Sequence, residues 1–279
     1  MRSLREILLM HQYIDQLGRT IEIKQTPKRI ISLVPSQTEL LFDLGLDEEV
    51  IGITKFCVHP EQWFKTKTRV GGTKQLHLEK IKKLQPDLII ANKEENVQSQ
   101  IEELAKEFPV WVSDVNNLDD AFNMIESIGW ITSKHVKAKQ ITDSIKENFS
   151  QLQTSNHKLR TCYLIWKEPY MTVGGDTFIN NMLFHAGFKN LFEGQTRYPE
   201  VTIEQLKAEN CELLLLSSEP FPFKQKHVDE LQSLLPDTKI CLVDGEMFSW
   251  YGSRLLKAPA YFQELQNQLL SLTHARGTE

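Results

Sequence analysis

The segment 244–254, DGEMFSWYGSR, gathers Phe248, Trp250, Tyr251 and Arg254 behind Asp244 and Glu246. Aromatics that offer flat apolar area with polar tips, joined by a guanidinium for a carboxylate or phosphate, suit a large, partly polar ligand. Alternatively, Phe248 and Trp250 fill core beneath the loop while Arg254 pairs with Asp244 or Glu246. A second segment, KFCVHP, sets Cys57 and His59 two apart. Such a pair can bind a soft metal, but a stable site needs about two further ligands. No other cysteine or histidine stands at ligand spacing, which favours a structural or cleft-lining role, and no intrinsic metal or cofactor is expected. Glycine pairs at 71–72 and 174–175 mark loops; GGDTF before a helix can offer N–H groups to an anion, or simply form a turn capped by Asp176 or Thr177. The chain has no GxSxG, HExxH or Walker loop, and no GxGxxG opening a helix after the first strand. This lowers the enzyme class.

Short β-branched or leucine runs alternate with helical patterns, which predicts parallel βαβ units. Strands are expected at 29–34, 50–54, 88–91 and 110–112, then at 161–165, 213–216 and 240–243. The two sets repeat each other. LEKIKKLQPDLIIANKE (78–94) aligns without a gap on IEQLKAENCELLLLSSE (203–219), an offset of 125 that sets Glu79 on Glu204, Ile81 on Leu206 and Asp87 on Glu212. VWVSD (110–114) matches ICLVD (240–244), and LLFDLGL (40–46) matches MLFHAGF (182–188). The order predicts an α/β chain of two Rossmann-like lobes with mainly parallel sheets: residues 1–117 as the N-terminal lobe and 158–279 as the C-terminal lobe. Between them, 118–157 reads as a helical linker, with apolar steps of three and four. Asn117 is expected to cap its first stretch, and Gly129 with Thr132–Ser133 to break it. Ser133 then caps a backbone helix of about 20 residues, roughly 30 Å long. In open parallel sheets ligands sit beyond the carboxyl ends of the strands. That selects loops 35–37, 55–59, 92–95, 114, 166–168, 217–222 and 244–254, and with them Pro35, Ser36, Lys55, Phe56, His59, Trp166 and Ser217.

At 279 residues the chain is long enough for about two domains. With 41% hydrophobic and 25% charged residues it has an ordinary globular composition. A net charge of −5 supplies no basic field for a phosphate backbone, so nucleic acid is not an expected partner. The apolar runs LLLL and LIIA fall far below the ~20 residues of a membrane span. The four cysteines are widely spaced and read as buried free thiols.

The segments DQLGRTIEI, PKRIISLVPSQTELLFDLGL, RVGG, LEKIKKLQPDLIIA, YPEVTIEQL and DGEMFSWYGSRL fall in one order and spacing between about residues 13 and 265. In these the chain resembles the two-lobed substrate-binding proteins of ABC importers that have a helical backbone and carry metal chelates, cobalamin binders among them. The resemblance implies the class III periplasmic-binding-protein fold. It implies a monomeric, non-enzymatic receptor that captures a corrinoid first, and haem or a ferric siderophore next, for delivery to a membrane permease. Glu79 and Glu204 look like the pair of acidic knobs that dock on permease arginines. Tyr198 takes the family's aromatic cleft position, Phe248 and Arg254 fall in its second cleft loop, and Glu246 stands where a family acid sits. Family members are exported, which implies the periplasm. As written, however, the N-terminus lacks an h-region of roughly 7–15 apolar residues, so the chain reads as cytoplasmic unless residues 1–9 are an extension ahead of Met10. That departure, with the Cys57–His59 pair, sustains an alternative: a cytoplasmic chelatase-like enzyme or metallo-tetrapyrrole carrier.

Overall fold

A computed structural model describes residues 11–154 and 158–275, so the question of Met1 or Met10 as the start lies outside the described residues. The chain divides into two compact units. Unit 1 takes residues up to Val115 and Asp120–Thr142, and unit 2 takes Asn116–Asp119 and the chain from Asp143 on. In unit 1, β1 (His11–Ile14) and β2 (Thr20–Ile23) form an antiparallel hairpin. There follow β3 (Ile30–Ser32), α1 (Pro35–Asp43), β4 (Val50–Ile53), α2 (Glu61–Thr66), β5 (Thr68–Arg69), α3 (Leu78–Leu84), β6 (Leu88–Asn92), α4 (Gln98–Ala105) and β7 (Val110–Ser113). Helix α5 (Leu118–Ile131) leads to α6 (His135–Ser150), and the boundary between the units falls within α6, after Thr142. In unit 2 come β8 (Arg160–Leu164), α7 (Phe178–His185), β9 (Lys189–Asn190), α8 (Ile203–Ala208), β10 (Leu213–Ser217), α9 (Gln225–Leu234), β11 (Lys239–Val243), α10 (Glu246–Ser249), a 3-10 turn (Ser253–Leu256) and α11 (Ala258–Ala275).

Both larger sheets are wholly parallel, as the α/β reading requires. Their orders are β5-β4-β3-β6-β7 and β11-β10-β8-β9. Apart from the short β5 at one edge, each sheet runs second, first, third, fourth in its own chain order. Every residue of β6 and of β10 is buried, because helices cover both faces of a parallel sheet and leave no polar side. Ile81 and Leu206, one repeat apart, each sit fully inside their unit's core.

The 125-residue offset extends to side-chain detail. Asp87 accepts the N–H groups of Lys28 and Arg29 at 2.8 Å each, and Glu212 accepts that of Arg160 at 2.8 Å. Arg29 reaches back to the carbonyls of Leu84 and Gln85, and Arg160 to that of Glu209. Gln85 and Asn210, again 125 apart, are both left-handed (φ 46° and 50°). Each helix thus turns sharply into its strand, and an arginine takes the orphaned carbonyls at the helix end.

Three expectations change. Ser133 does not cap the second helix: at φ 59° it ends α5, with its N–H on the Trp130 carbonyl and the Lys134 N–H on the Gly129 carbonyl, a Schellman closure. Helix α6 therefore begins at His135 and has 16 residues, roughly 24 Å rather than 30 Å. Gly129 breaks nothing. It lies inside α5 where a Cβ would stand 2.3 Å from that of Ala138, so it is the residue that lets α5 and α6 touch. The β1–β2 hairpin, absent from the strand pattern, is folded by Asp15, whose carboxylate takes the N–H groups of Leu17 and Arg19 and the Arg19 guanidinium. Of the cysteines, Cys57, Cys162 and Cys211 are buried free thiols, while Cys241 is only half-buried.

Candidate functional site

The loop 244–254 is a core plug. Asp244 opens it, its N–H on the Tyr261 hydroxyl and its carboxylate accepting from Glu246 N. Gly245 follows because a Cβ there would lie 2.4 Å from Ser217 Oγ. Phe248 is fully buried, its ring 5.2 Å from Tyr163 and 4.8 Å from Phe262. Trp250 and Ser249 both donate to Glu219 Oε1, at 3.0 and 2.6 Å. Tyr251 stands edge-on to Phe178 at 5.7 Å, and Arg254 pairs with Glu246 at 3.0 Å while its guanidinium lies 4.8 Å from the Trp250 ring. Phe248, Trp250, Tyr251 and Arg254 are each at most 7% exposed. In this structure the four side chains fill core, as the alternative reading expects, with Glu246 as a partner of the arginine. Burial pushes the Glu219 carboxyl up, opposed by the Ser249 hydroxyl and reinforced by the Glu246 charge.

What faces outward in unit 2 lies where β9 and β10 flank β8 on opposite sides, the switch point at which α/β sheets open a crevice. The loops after β8 and β10 put Trp166, 41% exposed, edge-on to Phe221 at 5.8 Å. Phe221 continues to Phe223 at 4.8 Å and His227 at 5.4 Å. The sequence reading selected Phe221's loop but not Phe221 itself. Its signal was an aromatic between two prolines. Ser217, by contrast, turns inward: Tyr163 donates to its hydroxyl at 3.0 Å, and it donates to the Glu219 carbonyl at 2.6 Å. Tyr198 is half-buried under Arg197, whose guanidinium carbon is 5.7 Å from the ring. The excursion carrying both lies along 170–175: Gly174 and Gly175 donate to the carbonyls of Arg197 and Gln195. Cβ atoms at these glycines would be 2.4 and 2.1 Å from backbone oxygens, so close approach, and not an anion cradle, explains the pair. Thr177 caps α7 instead.

In unit 1 the corresponding loop ends are polar. Pro35 opens α1, where its missing N–H costs nothing. Behind it Ser36 and Gln37 are buried, and Ser36 Oγ and Gln37 Oε1 find no hydrogen-bond partner. Gln37 Nε2 donates to Ser113 Oγ at 2.5 Å, and Asn92 Nδ2 donates to the same oxygen at 3.0 Å. On the loop after β4, Phe56 is half exposed with Lys55 Nζ 5.0 Å from its ring, both resting over Gly72. Cys57 does not share that surface. Its sulfur is buried between the hydroxyls of Thr38 and Thr54 at 3.1 Å, and burial pushes the thiol up to about 11. It is a buried core thiol, whereas His59 is half-buried. Among the described residues no three His, Cys, Asp or Glu side chains converge on a metal position.

Glu79 and Glu204 are both exposed, each the second residue of its helix, α3 and α8. Glu204 joins a capped turn in which Thr202 and Gln205 satisfy each other's backbone N–H groups. Its own backbone N–H and the Thr202 hydroxyl hold its carboxyl below the ordinary range. At α3 the capping residue, His77, makes no side-chain cap bond.

Residues 30–234 match the periplasmic binding protein family. An ABC transporter substrate-binding lipoprotein of Bacillus subtilis, itself uncharacterised, is 28% identical over 261 residues, covering 87% of this chain and 81% of the relative. A vitamin B12-binding protein of Vibrio parahaemolyticus is 29% identical over 196 residues, 68% of this chain and 70% of the relative. Among solved structures, a possible iron-binding periplasmic solute-binding protein of Staphylococcus epidermidis superposes with a TM-score of 0.73 at 25% identity, covering 88% of this chain and 99% of that one. These are binding proteins of transport and not enzymes, so the chelatase-like alternative falls. The chain belongs to the periplasmic binding protein family.

Proposed function

We propose that the cargo of this ABC-importer substrate-binding receptor is a metal chelate, a corrinoid first, with haem or a ferric siderophore next. The exposed Trp166, edge-on to the half-buried Phe221 at the switch point of unit 2, carries this reading, because flat apolar area beyond the strand ends suits a planar macrocycle. The vitamin B12-binding relatives support the same cargo. In this reading Phe56 with Lys55, Tyr198 and Trp166 touch the ligand. Pro35 and Ser36 line the approach to it, and Glu79 and Glu204 meet arginines of the permease as charge-assisted pairs. The test is visible absorption of the purified protein after incubation with cyanocobalamin, hemin or a ferric hydroxamate and removal of free ligand. Cyanocobalamin should be retained one per chain, and Trp166→Ala should weaken it at least about tenfold, as expected of an aromatic hot spot. A protein that retains none of the three colours overturns the proposal.

A further inference from the structure

Unit 2 holds a cavity of about 430 Å³ whose walls include Asn116, Asn117, Asp176, Asn180, Asn181 and Arg197. Its volume is that of a small-molecule site. Asp176, Asn180, Asn181 and Arg197 stand on segments that follow β8 or β9, beyond strand carboxyl ends, and Asn116 and Asn117 belong to the same unit. The walls are fixed before any ligand arrives. Asn180 donates to the Gly175 carbonyl at 3.0 Å and accepts from Asn190 at 2.9 Å, and Asn181 Oδ1 accepts the Leu118 N–H at 3.1 Å. Asp176 accepts the Arg197 N–H at 2.6 Å. That bond holds Arg197 at φ 59°, a left-handed conformation rarely adopted by a residue other than glycine. The same arginine lies against Tyr198, so the cavity adjoins the aromatic position already assigned to the ligand.

The charges in the cavity cancel. Arg197 and Asp176 stand 3.6 Å apart, and the remaining polar wall is carboxamide. A ligand carboxylate would meet Asp176 and an arginine already neutralised. A ligand carboxamide brings both a donor and an acceptor, as each asparagine does, and the bonds that orient Asn180 and Asn181 leave each an N–H to offer. We infer that this cavity is a subsite for the neutral carboxamide and hydroxyl periphery of the chelate, and that it selects an amide-rimmed corrinoid over chelates rimmed with carboxylates. The inference rests on the proposed receptor role and assigns the polar half of that site.

The experiment compares binding of cyanocobalamin with that of its monocarboxylate, in which one rim carboxamide is hydrolysed, by titration of the wild type and of Asp176→Asn. The variant keeps an oxygen for the Arg197 N–H but uncovers the guanidinium charge. Wild type should prefer the amide about tenfold, or about 1.4 kcal/mol. Asp176→Asn should erase or invert that preference, and Asn181→Asp should widen it. Circular dichroism melting checks that each variant folds. Equal affinity of wild type for amide and acid overturns the subsite alone, as does a preference unchanged in folded Asp176→Asn. A wild type that binds neither corrinoid overturns the receptor's proposed cargo, and the subsite with it.

Discussion

Units 1 and 2 share their frame and differ at their strand ends. Both sheets run in the same order, and both use an arginine at a strand start to close the helix end that precedes the third strand. Beyond the carboxyl ends, unit 1 is a buried polar network around Gln37, Asn92 and Ser113. Unit 2 is an aromatic plug around Phe248, Trp250 and Tyr251. Only backbone geometry constrains the frame, so it repeats. The strand ends meet whatever the fold presents to a ligand or must fill, and there the two copies have separated. The lesson is that richness in aromatics did not mark an exposed face of unit 2. The most aromatic loop is packed inward, while Trp166, on the loop after β8, is exposed with Phe221 half-buried beside it.

The largest expected effect breaks the plug. Phe248→Ala removes a fully buried ring from between Tyr163 and Phe262 and should cost about 3–5 kcal/mol in denaturant unfolding. Phe56→Ala, at the half-exposed position of unit 1, should stay within about 0.5 kcal/mol of wild type while weakening ligand. If Phe248→Ala unfolds like wild type but loses ligand, the aromatic loop of unit 2 returns to the ligand face.

Most of the frame could be read from sequence because a strand buried on both faces writes itself as an unbroken apolar run, and LIIAN and LLLLS do so 125 residues apart. The arginine clasp could not be read. Arg29 and Arg160 look like any charged residue at a strand start, and their partners are carbonyls, which leave no mark on the sequence. Nor could the hairpin: HQYI lacks a clear alternation, and its turn depends on Asp15. At 244–254 a ligand loop and a core plug have the same composition. What decides between them is distant in the chain: Glu219 accepting from Trp250, and α11 bringing Tyr261 and Phe262 against Phe248.

A smaller effect sharpens the shared frame. Asp87 holds two backbone N–H groups and Glu212 one, so removing them should not be equivalent despite their matched positions. Asp87→Ala should cost about 2 kcal/mol in urea unfolding and Glu212→Ala about 1, from the worth of hydrogen bonds to a charged, half-buried carboxylate. Equal losses would mean that the arginines, rather than the carboxylates, carry the closure.

The smallest effect on stability separates the two exposed acids. Glu204 sits in a capped helix start where N–H and hydroxyl donors hold its carboxyl below the ordinary range, whereas the capping residue before Glu79 makes no side-chain cap bond. A depressed carboxyl contributes stability above its unfolded pKa and loses it as pH falls through the folded value. Glu204→Lys should therefore melt slightly lower than wild type at pH 7, the gap narrowing below the ordinary glutamate range. Glu79→Lys, which reverses a first-turn charge at a helix start without a side-chain cap bond, should melt no more than slightly lower at pH 7. Docking predicts a different symmetry. If each unit offers one carboxylate to arginines of a twofold permease, either reversal should weaken association with the membrane subunits, and the double reversal should abolish it, while ligand affinity stays the same. Pull-down of the permease by ligand-loaded protein reads this directly. A double variant that melts lower yet still associates would leave Glu204 as a helix-end charge, and the match with Glu79 as a feature of the repeated frame alone.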